Sequence, residues 1–126
     1  SSASQTIDRI IDVFPSEQQQ QIRTQLSSSL VGVISQTLCK SNEGKRKLAA
    51  EILVNNVAIA NLIRESKTSQ IYSQIQVGSK YGMQTLEQAL IGLNRNGLIS
   101  EDEAFFKCNK RNVMATLLGN SESGED

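Results

Sequence analysis

Strand-forming sequence is confined to two short runs in this chain, and this restricts the fold more than any other feature. Residues 33–38 and 48–54 are rich in aliphatic and β-branched side chains and are bounded by turn-forming residues. The connection contains Asn42 and Gly44, which predicts one long antiparallel hairpin. Two strands alone do not form a stable sheet. We therefore expect further strands from residues that precede this sequence, which also begins without an initiator Met.

The rest of the chain has the spacing of short amphipathic helices. Ile7, Ile10, Ile11 and Phe14 share one helical face near the start. Four residue pairs have the capping-box pattern that begins a helix: Ser2 with Gln5, Ser16 with Gln19, Thr85 with Gln88, and Ser100 with Glu103. The predicted fold class is α+β and mostly helical, with two helices, a β-hairpin and then a bundle of short helices. The small, acidic residues 119–126 are predicted to be a disordered tail.

The composition excludes several classes of function. The 126 residues include 13 basic and 13 acidic side chains, so the surplus of positive charge typical of a nucleic-acid binder is missing. The sequence has no histidine, which removes His-based zinc sites and His-containing triads. Cys39 and Cys108 fit neither a disulfide framework nor a metal knuckle. They indicate two reduced thiols in a cytosolic protein, although the sequence leaves a single bridge open. No apolar run reaches the roughly 18 residues of a membrane span.

No nucleotide-binding or catalytic motif is complete in the sequence. The pair Gly44-Lys45 lacks both the upstream glycine and the following Ser or Thr of a P-loop. The carboxylates at 101–103 lie where a helix is predicted to begin, and there they favour the helix dipole. The cations at 40 and 45–47 make the hairpin connection basic, either as a solvated loop or as a contact for phosphate or an acidic partner. We predict no catalytic, cofactor-binding or metal site within these residues.

Seven segments match one protein family in sequence and in order: 6–15, 18–23, 30–36, 49–53, 58–65, 80–85 and 97–100. Together they cover roughly residues 2–107. They resemble the C-terminal half of the type IV pilus retraction ATPases, the PilT family of twitching-motility proteins within the secretion ATPase superfamily.

The resemblance implies a larger parent protein. That parent would be a hexameric ATPase that uses ATP and Mg, with its Walker and box motifs upstream of this sequence. Residues 1–54 would complete its RecA-like motor core, and residues 55–118 would form a helical C-terminal appendage. The expected location is the cytoplasm, peripheral to the inner membrane, with the platform of the pilus machinery as partner.

The family signature associated with retraction, A-I-R-N-L-I-R-E, maps onto eight consecutive residues: Ala58, Ile59, Ala60, Asn61, Leu62, Ile63, Arg64 and Glu65. Ala60 departs from the signature because the family usually has arginine there, so one cation is lost. Apolar side chains at Val57, Ile59, Leu62 and Ile63 make the helix apolar around much of its circumference. Its apolar residues therefore either belong to the core or face a partner.

Two other functions stay open at the level of sequence. One is a stand-alone helical interaction or adaptor domain, which the missing Walker motifs and the zero net charge favour. The other is the same part of a pilus-assembly or type II secretion ATPase. The signature at 58–65 favours retraction over assembly or secretion.

Overall fold

The computed structural model describes residues 2–123, with side-chain surroundings for residues 2–119. Over this range the chain forms two helices, a β-hairpin and five further helices, which confirms the predicted α+β, mostly helical fold. In chain order the elements are α1 (Ala3–Asp12), α2 (Ser16–Ser29), β1 (Gly32–Lys40), β2 (Arg46–Val54), α3 (Val57–Arg64), α4 (Ile71–Gln76), α5 (Leu86–Arg95), α6 (Glu101–Lys107) and α7 (Arg111–Ser123). Short 3-10 turns at Thr68–Gln70 and Ser79–Tyr81 flank α4.

The hairpin confirms both predicted strands and extends each of them. β1 and β2 pair antiparallel from Gly32 opposite Val54 to Lys40 opposite Arg46. Gly44 at the tip has a φ of +78°, a left-handed conformation that glycine adopts without a steric penalty. Residues directly opposite one another share a face of the sheet. The odd-numbered positions of β1 and of β2 therefore point into the molecule, and the even-numbered positions point outward.

The inward face of the hairpin joins two apolar clusters. The first cluster combines Leu53 with buried residues of α1, α3 and α4, namely Ile7, Ile11, Ile59, Ile63, Ile71 and Ile75. The second combines Cys39 and Ala49 with buried residues of and around α5, α6 and α7, namely Leu86, Leu90, Ile91, Ile99, Ala104, Met114 and Leu118. The hairpin thus packs against the helices before it and the helices after it.

Three of the four predicted helix starts are confirmed by their caps. The Ser2 and Ser100 hydroxyls accept from the backbone N–H groups of Gln5 and Glu103 at 3.2 and 3.0 Å. Thr85 and Gln88 form a reciprocal capping box.

The cap predicted at Ser16 is wrong. Pro15 takes the cap position with an extended ψ of 148°, and Ser16 is already the first residue of α2. A side-chain cap requires the extended backbone of an N-cap residue, and Ser16 already belongs to the helix. The Gln19 side chain instead donates to the carbonyl oxygen of Phe14 at 3.0 Å.

The last helix extends further than the sequence pattern indicates. α7 continues through Ser123, so residues 119–123 are helical where a disordered tail is predicted. Adding residues to an existing helix costs much less than starting one, which accounts for the extension. Residues 124–126 of the predicted tail lie outside the described residues. Among the helices within 2–123, none has the length and apolar character needed to cross a membrane.

Candidate functional site at helix α3

Helix α3 begins directly after β2 and contains the predicted functional signature up to Arg64, with Glu65 as its C-cap. Asn56 caps it, with its side-chain oxygen accepting from the Ile59 N–H at 2.9 Å. Asn56 has an extended backbone, the conformation expected at an N-cap. The sequence indicates a start at Asn55 or Asn56, and the structure selects Asn56. The two asparagines have different roles, because Asn55 binds the end of α2.

One side of α3 belongs to the first apolar cluster. Ile59 and Ile63 are completely buried there, and Leu62 packs against the cluster while half-buried. The sequence leaves four apolar residues of this helix open to a place in the core or in a partner interface. Three of these four therefore lie in the core. The fourth, Val57, is 80% exposed. An apolar face open to a partner is thus reduced to one valine at the start of the helix.

The other side of α3 is polar and open to solvent. Ala58, Asn61, Arg64 and Glu65 are exposed, and Ala60 is half-buried where it lines the space between α2 and α3. Arg64 donates from its guanidinium to the side-chain oxygen of Asn61 at 2.6 Å. This contact holds the one cation of the predicted signature against its own helix. The predicted site residues therefore divide between the core, which fixes the helix, and a small polar surface.

A groove runs between the end of α2 and the start of α3. Its volume is about 440 Å³, and its walls include Ser28, Val31, Val57, Asn61 and Arg64. The carbonyl oxygen of Arg64 accepts from the side chain of Gln20 at 3.1 Å, which joins the two helices at the far end of the groove. The groove is therefore lined by side chains of both helices.

Asn55 fixes the floor of this groove. Its side-chain amide donates to the carbonyl oxygens of Ser27 and Leu30 at 3.0 and 2.9 Å, and its backbone N–H donates to that of Val31 at 2.9 Å. Three bonds from one residue hold the chain as it leaves α2 and enters β1. The position of α3 relative to α2 is set by these bonds as well as by apolar packing.

The hairpin tip does not have the geometry of a phosphate-binding loop. A P-loop passes from a strand through a glycine-rich turn into a helix, whose N–H groups bind phosphate. Gly44 and Lys45 instead lie in a turn between two strands. The tip loop is fixed to the segment after α5, because the backbone and side chain of Asn42 donate to the carbonyl oxygens of Leu98 and Gly97 at 2.9 and 3.0 Å. The residues present here do not fit a nucleotide.

The other candidate side chains have structural surroundings. Glu101 and Asp102 are exposed in the first turn of α6 as the sequence predicts, while Glu103 accepts from the Lys40 N–H at 2.6 Å. Cys39 and Cys108 are free thiols, and burial raises the pKa of each, which disfavours the reactive thiolate. Among the described residues no three side chains are grouped as ligands for a metal ion.

Comparison of the chain with individual known proteins assigns it to a family, although no family model matches it. The type IV pilus retraction ATPase PilT of Pseudomonas aeruginosa is 53% identical over 103 residues, which is 82% of this chain and 30% of that protein. A twitching motility protein of Neisseria gonorrhoeae is 48% identical over 103 residues, or 81% of this chain and 28% of that protein. The chain belongs to the PilT family.

The solved structures agree with this assignment. The crystal structure of the pilus retraction motor PilT with bound ADP matches with a TM-score of 0.76 and 44% identity, over 86% of this chain and 30% of that one. The resemblance to the PilT family predicted from the seven segments is therefore confirmed. The chain spans less than a third of the length of the PilT proteins it matches.

Two features of the structure have no signal in the sequence. Glu51 and Glu87 are buried carboxylates, and each accepts hydrogen bonds from backbone N–H groups of distant segments. Glu51 stands in a strand, and Glu87 stands in the first turn of a helix, where an acidic residue is ordinary. Only the packing of the helices shows that both are enclosed.

Proposed function

We propose that this chain is the C-terminal part of a hexameric pilus retraction motor and couples ATP hydrolysis in the preceding part to pilus disassembly in twitching motility. The observation that carries the proposal is the 53% identity to PilT over most of the chain. The bound ADP of the related motor supports a nucleotide site in the parent protein. In the proposal, ATP and Mg are held by residues outside this chain, and the motor works in the cytoplasm, against the pilus platform at the inner membrane.

The outer face of the hairpin supports the proposal that residues 1–54 belong to a larger core. Ile34, Leu38 and Leu48 point outward from the sheet and are each half exposed or more. Large aliphatic side chains on an open sheet face are costly in water, so this face fits a larger core. In the proposal, residues 1–54 complete the RecA-like motor core, and residues 55–118 are the appendage attached to it.

This division is tested by one variant in two lengths of protein. Replacing Leu38 with aspartate is expected to lower the unfolding temperature of the full-length parent by several degrees, since a covered aliphatic residue is lost. The same change in the 126-residue chain is expected to have little effect, because Leu38 is exposed there. Equal effects in the two proteins would contradict a shared core at this face.

The retraction site in the proposal is the exposed surface of α3 with the groove beside it. Val57 is an exposed apolar side chain, and beside it the Arg64 guanidinium is hydrogen-bonded to the Asn61 side chain. Such a surface suits an acidic or polar protein segment with one apolar side chain for Val57. Ala60, where the family usually has arginine, lines the groove and leaves it without a second cation.

The test uses the full-length parent carrying Val57→Asp or Arg64→Ala. Both residues are exposed, so ring assembly and ATP hydrolysis are expected to stay near the wild-type values while twitching is lost. Val77→Asp is the matched control, because Val77 is 78% exposed on another part of the surface. Proportional loss of assembly, hydrolysis and twitching in the α3 variants would show that the helix is only structural.

The proposal that the nucleotide site lies outside this chain has its own test. Titration calorimetry of the 126-residue chain with Mg-ATP is expected to show no binding, because its glycine-containing turn joins two strands rather than a strand and a helix. Tight, magnesium-dependent binding would contradict the assignment of the nucleotide site to the preceding residues.

A further inference from the structure

Glu51 lies in the middle of β2 and connects two helices that are far apart in sequence. Its side chain is 2% exposed. One carboxylate oxygen accepts from the Ala3 N–H at 2.7 Å, and the other accepts from the Leu86 N–H at 3.3 Å. Ala3 and Leu86 are the first residues of α1 and α5. A single buried carboxylate therefore receives the first N–H group of two helices.

The two helix starts need this acceptor. The first N–H groups of a helix have no partner within the helix, and a negative charge there is favoured by the helix dipole. The cap residues Ser2 and Thr85 accept from the N–H groups of Gln5 and Gln88, three positions further on. Their side chains leave the N–H groups of Ala3 and Leu86 to Glu51. Loss of Glu51 would leave two buried donors unpaired, which is costly.

The strand on either side of Glu51 binds the same later segment. Ile52 and Gln84 exchange backbone hydrogen bonds at 2.8 and 3.1 Å. The Gln84 side chain donates to the carbonyl oxygen of Ala50 at 2.7 Å. Residues 50–52 therefore hold the chain at the start of α5 through four hydrogen bonds, counting the one from the Leu86 N–H to the carboxylate. This is a junction between residues 1–54 and residues 55–118.

We propose that Glu51 is the positioning residue that keeps the appendage in fixed orientation on the motor core. The proposal rests on the proposed retraction function. In the proposal, movement of α1 and the hairpin, both in the core, is passed to α5 through this carboxylate in addition to the Ile52–Gln84 backbone pairing and the apolar packing. Without it the core still hydrolyses ATP, and the helices after residue 54 follow its movement less faithfully.

Glu87 provides a matched control for this role. It is fully buried and also accepts backbone N–H groups at a helix start, from Asn109 and Lys110 at 2.8 and 3.1 Å. It accepts the Tyr72 hydroxyl as well, at 2.6 Å. All of these partners lie after residue 54. A change at Glu87, one residue beyond Leu86, therefore perturbs a buried carboxylate of the same kind without removing a hydrogen bond of the junction.

The experiment compares Glu51→Gln and Glu87→Gln in the full-length parent. Glutamine keeps the shape of glutamate but can accept from only one of the two N–H groups at once. Hexamer assembly, ATP hydrolysis and twitching are measured, and twitching per ATP hydrolysed is the readout. We expect Glu51→Gln to lower this ratio by about tenfold and Glu87→Gln to leave it within about twofold of the wild type. Hydrogen exchange should also become faster at both Ala3 and Leu86 in Glu51→Gln.

Each other outcome overturns the inference. A Glu51→Gln variant with the wild-type ratio, or with hydrolysis and twitching lowered in proportion, shows a structural role only. If that variant does not assemble, Gln84→Ala decides by the same ratio, since it removes one side-chain bond from the same junction and keeps the backbone pairing. If Arg64→Ala uncouples the motor and Glu51→Gln does not, only this inference fails. If the wild-type parent drives no twitching, the proposed function fails.

Discussion

Replacing Tyr72 with phenylalanine removes one hydroxyl from the buried network around Glu87. That hydroxyl donates to one carboxylate oxygen of Glu87 at 2.6 Å, while the other oxygen accepts from the N–H groups of Asn109 and Lys110. The carboxylate is fully buried and holds α4, α5 and the start of α7 together. The substitution keeps the aromatic ring, so it tests the hydrogen bond with little change in apolar packing.

The expected cost follows from the charge and burial of the acceptor. Hydrogen bonds to charged groups contribute about 1.5–3 kcal/mol, and a short bond to a buried carboxylate belongs to the stronger ones. Glu87 keeps its two N–H partners, so the charge does not become entirely unpaired. We expect Tyr72→Phe to lower the free energy of unfolding by about 2 kcal/mol, out of roughly 5–15 kcal/mol for a domain.

Urea unfolding of the 126-residue chain measures this cost. The midpoint should fall while the dependence on urea concentration stays constant, because the surface exposed on unfolding is unchanged. Tyr81→Phe is the control, since Tyr81 is 63% exposed, and its expected effect is within about 0.5 kcal/mol. A double-mutant cycle with Glu87→Gln should give a coupling of about 1 kcal/mol or more.

Two results would refute this reasoning. If Tyr72→Phe and Tyr81→Phe have equal effects, the bond to the buried carboxylate contributes nothing beyond an exposed hydroxyl. If the effects of Tyr72→Phe and Glu87→Gln add without coupling, the two side chains do not act on one another.

Three further predictions concern pH, packing and backbone geometry. Burial and the Glu87 carboxylate raise the pKa of the Tyr72 hydroxyl. Above pH about 10 this hydroxyl therefore loses its proton in the unfolded chain while it stays protonated in the folded protein. Stability to urea should then fall by up to about 1.4 kcal/mol per pH unit, a component that Tyr72→Phe lacks. Ile63→Ala should cost about 2–5 kcal/mol in urea unfolding, because Ile63 is fully buried, whereas Val57→Ala should stay within about 0.5 kcal/mol. Gly32→Ala should cost about 1–3 kcal/mol in thermal unfolding, because its Cβ would lie 2.6 Å from a strand carbonyl oxygen. Gly92→Ala should instead raise the free energy of unfolding by about 0.5–1 kcal/mol, because the added Cβ meets nothing within 4 Å in the middle of α5. A Gly92→Ala variant that is less stable than Gly32→Ala would contradict the reasoning about backbone geometry.

Much of the fold was predictable because its signals are local. The spacing of Ile7 and Ile11, the caps at Ser2 and Thr85, and the turn at Gly44 each depend on residues a few positions apart. Helix periodicity, capping and turn conformation are fixed by the chain itself before any distant packing. The failure at Ser16 is also local, since Pro15 takes the cap position one residue earlier.

The candidate site was predictable only in part. The order of the seven segments and the motif at 58–65 indicated the PilT family, and the solved PilT structure agrees. The periodicity of α3 did not show which apolar residues are covered, because a short helix apolar on several sides fits a core or an interface. Packing against α2 and α4 buries Ile59 and Ile63 and leaves Val57 in solvent.

By itself the sequence determined the family, the element order and the lack of histidine chemistry, because these depend on residue identity and short spacing. The confinement of strands to one hairpin was visible at the same level. Only the tertiary structure decided that Glu51 and Glu87 are enclosed and that β2 is bonded to the segment before α5. These contacts join residues more than twenty positions apart, and a carboxylate's burial depends on which helices close over it. That closure is a property of packing, which no local pattern contains.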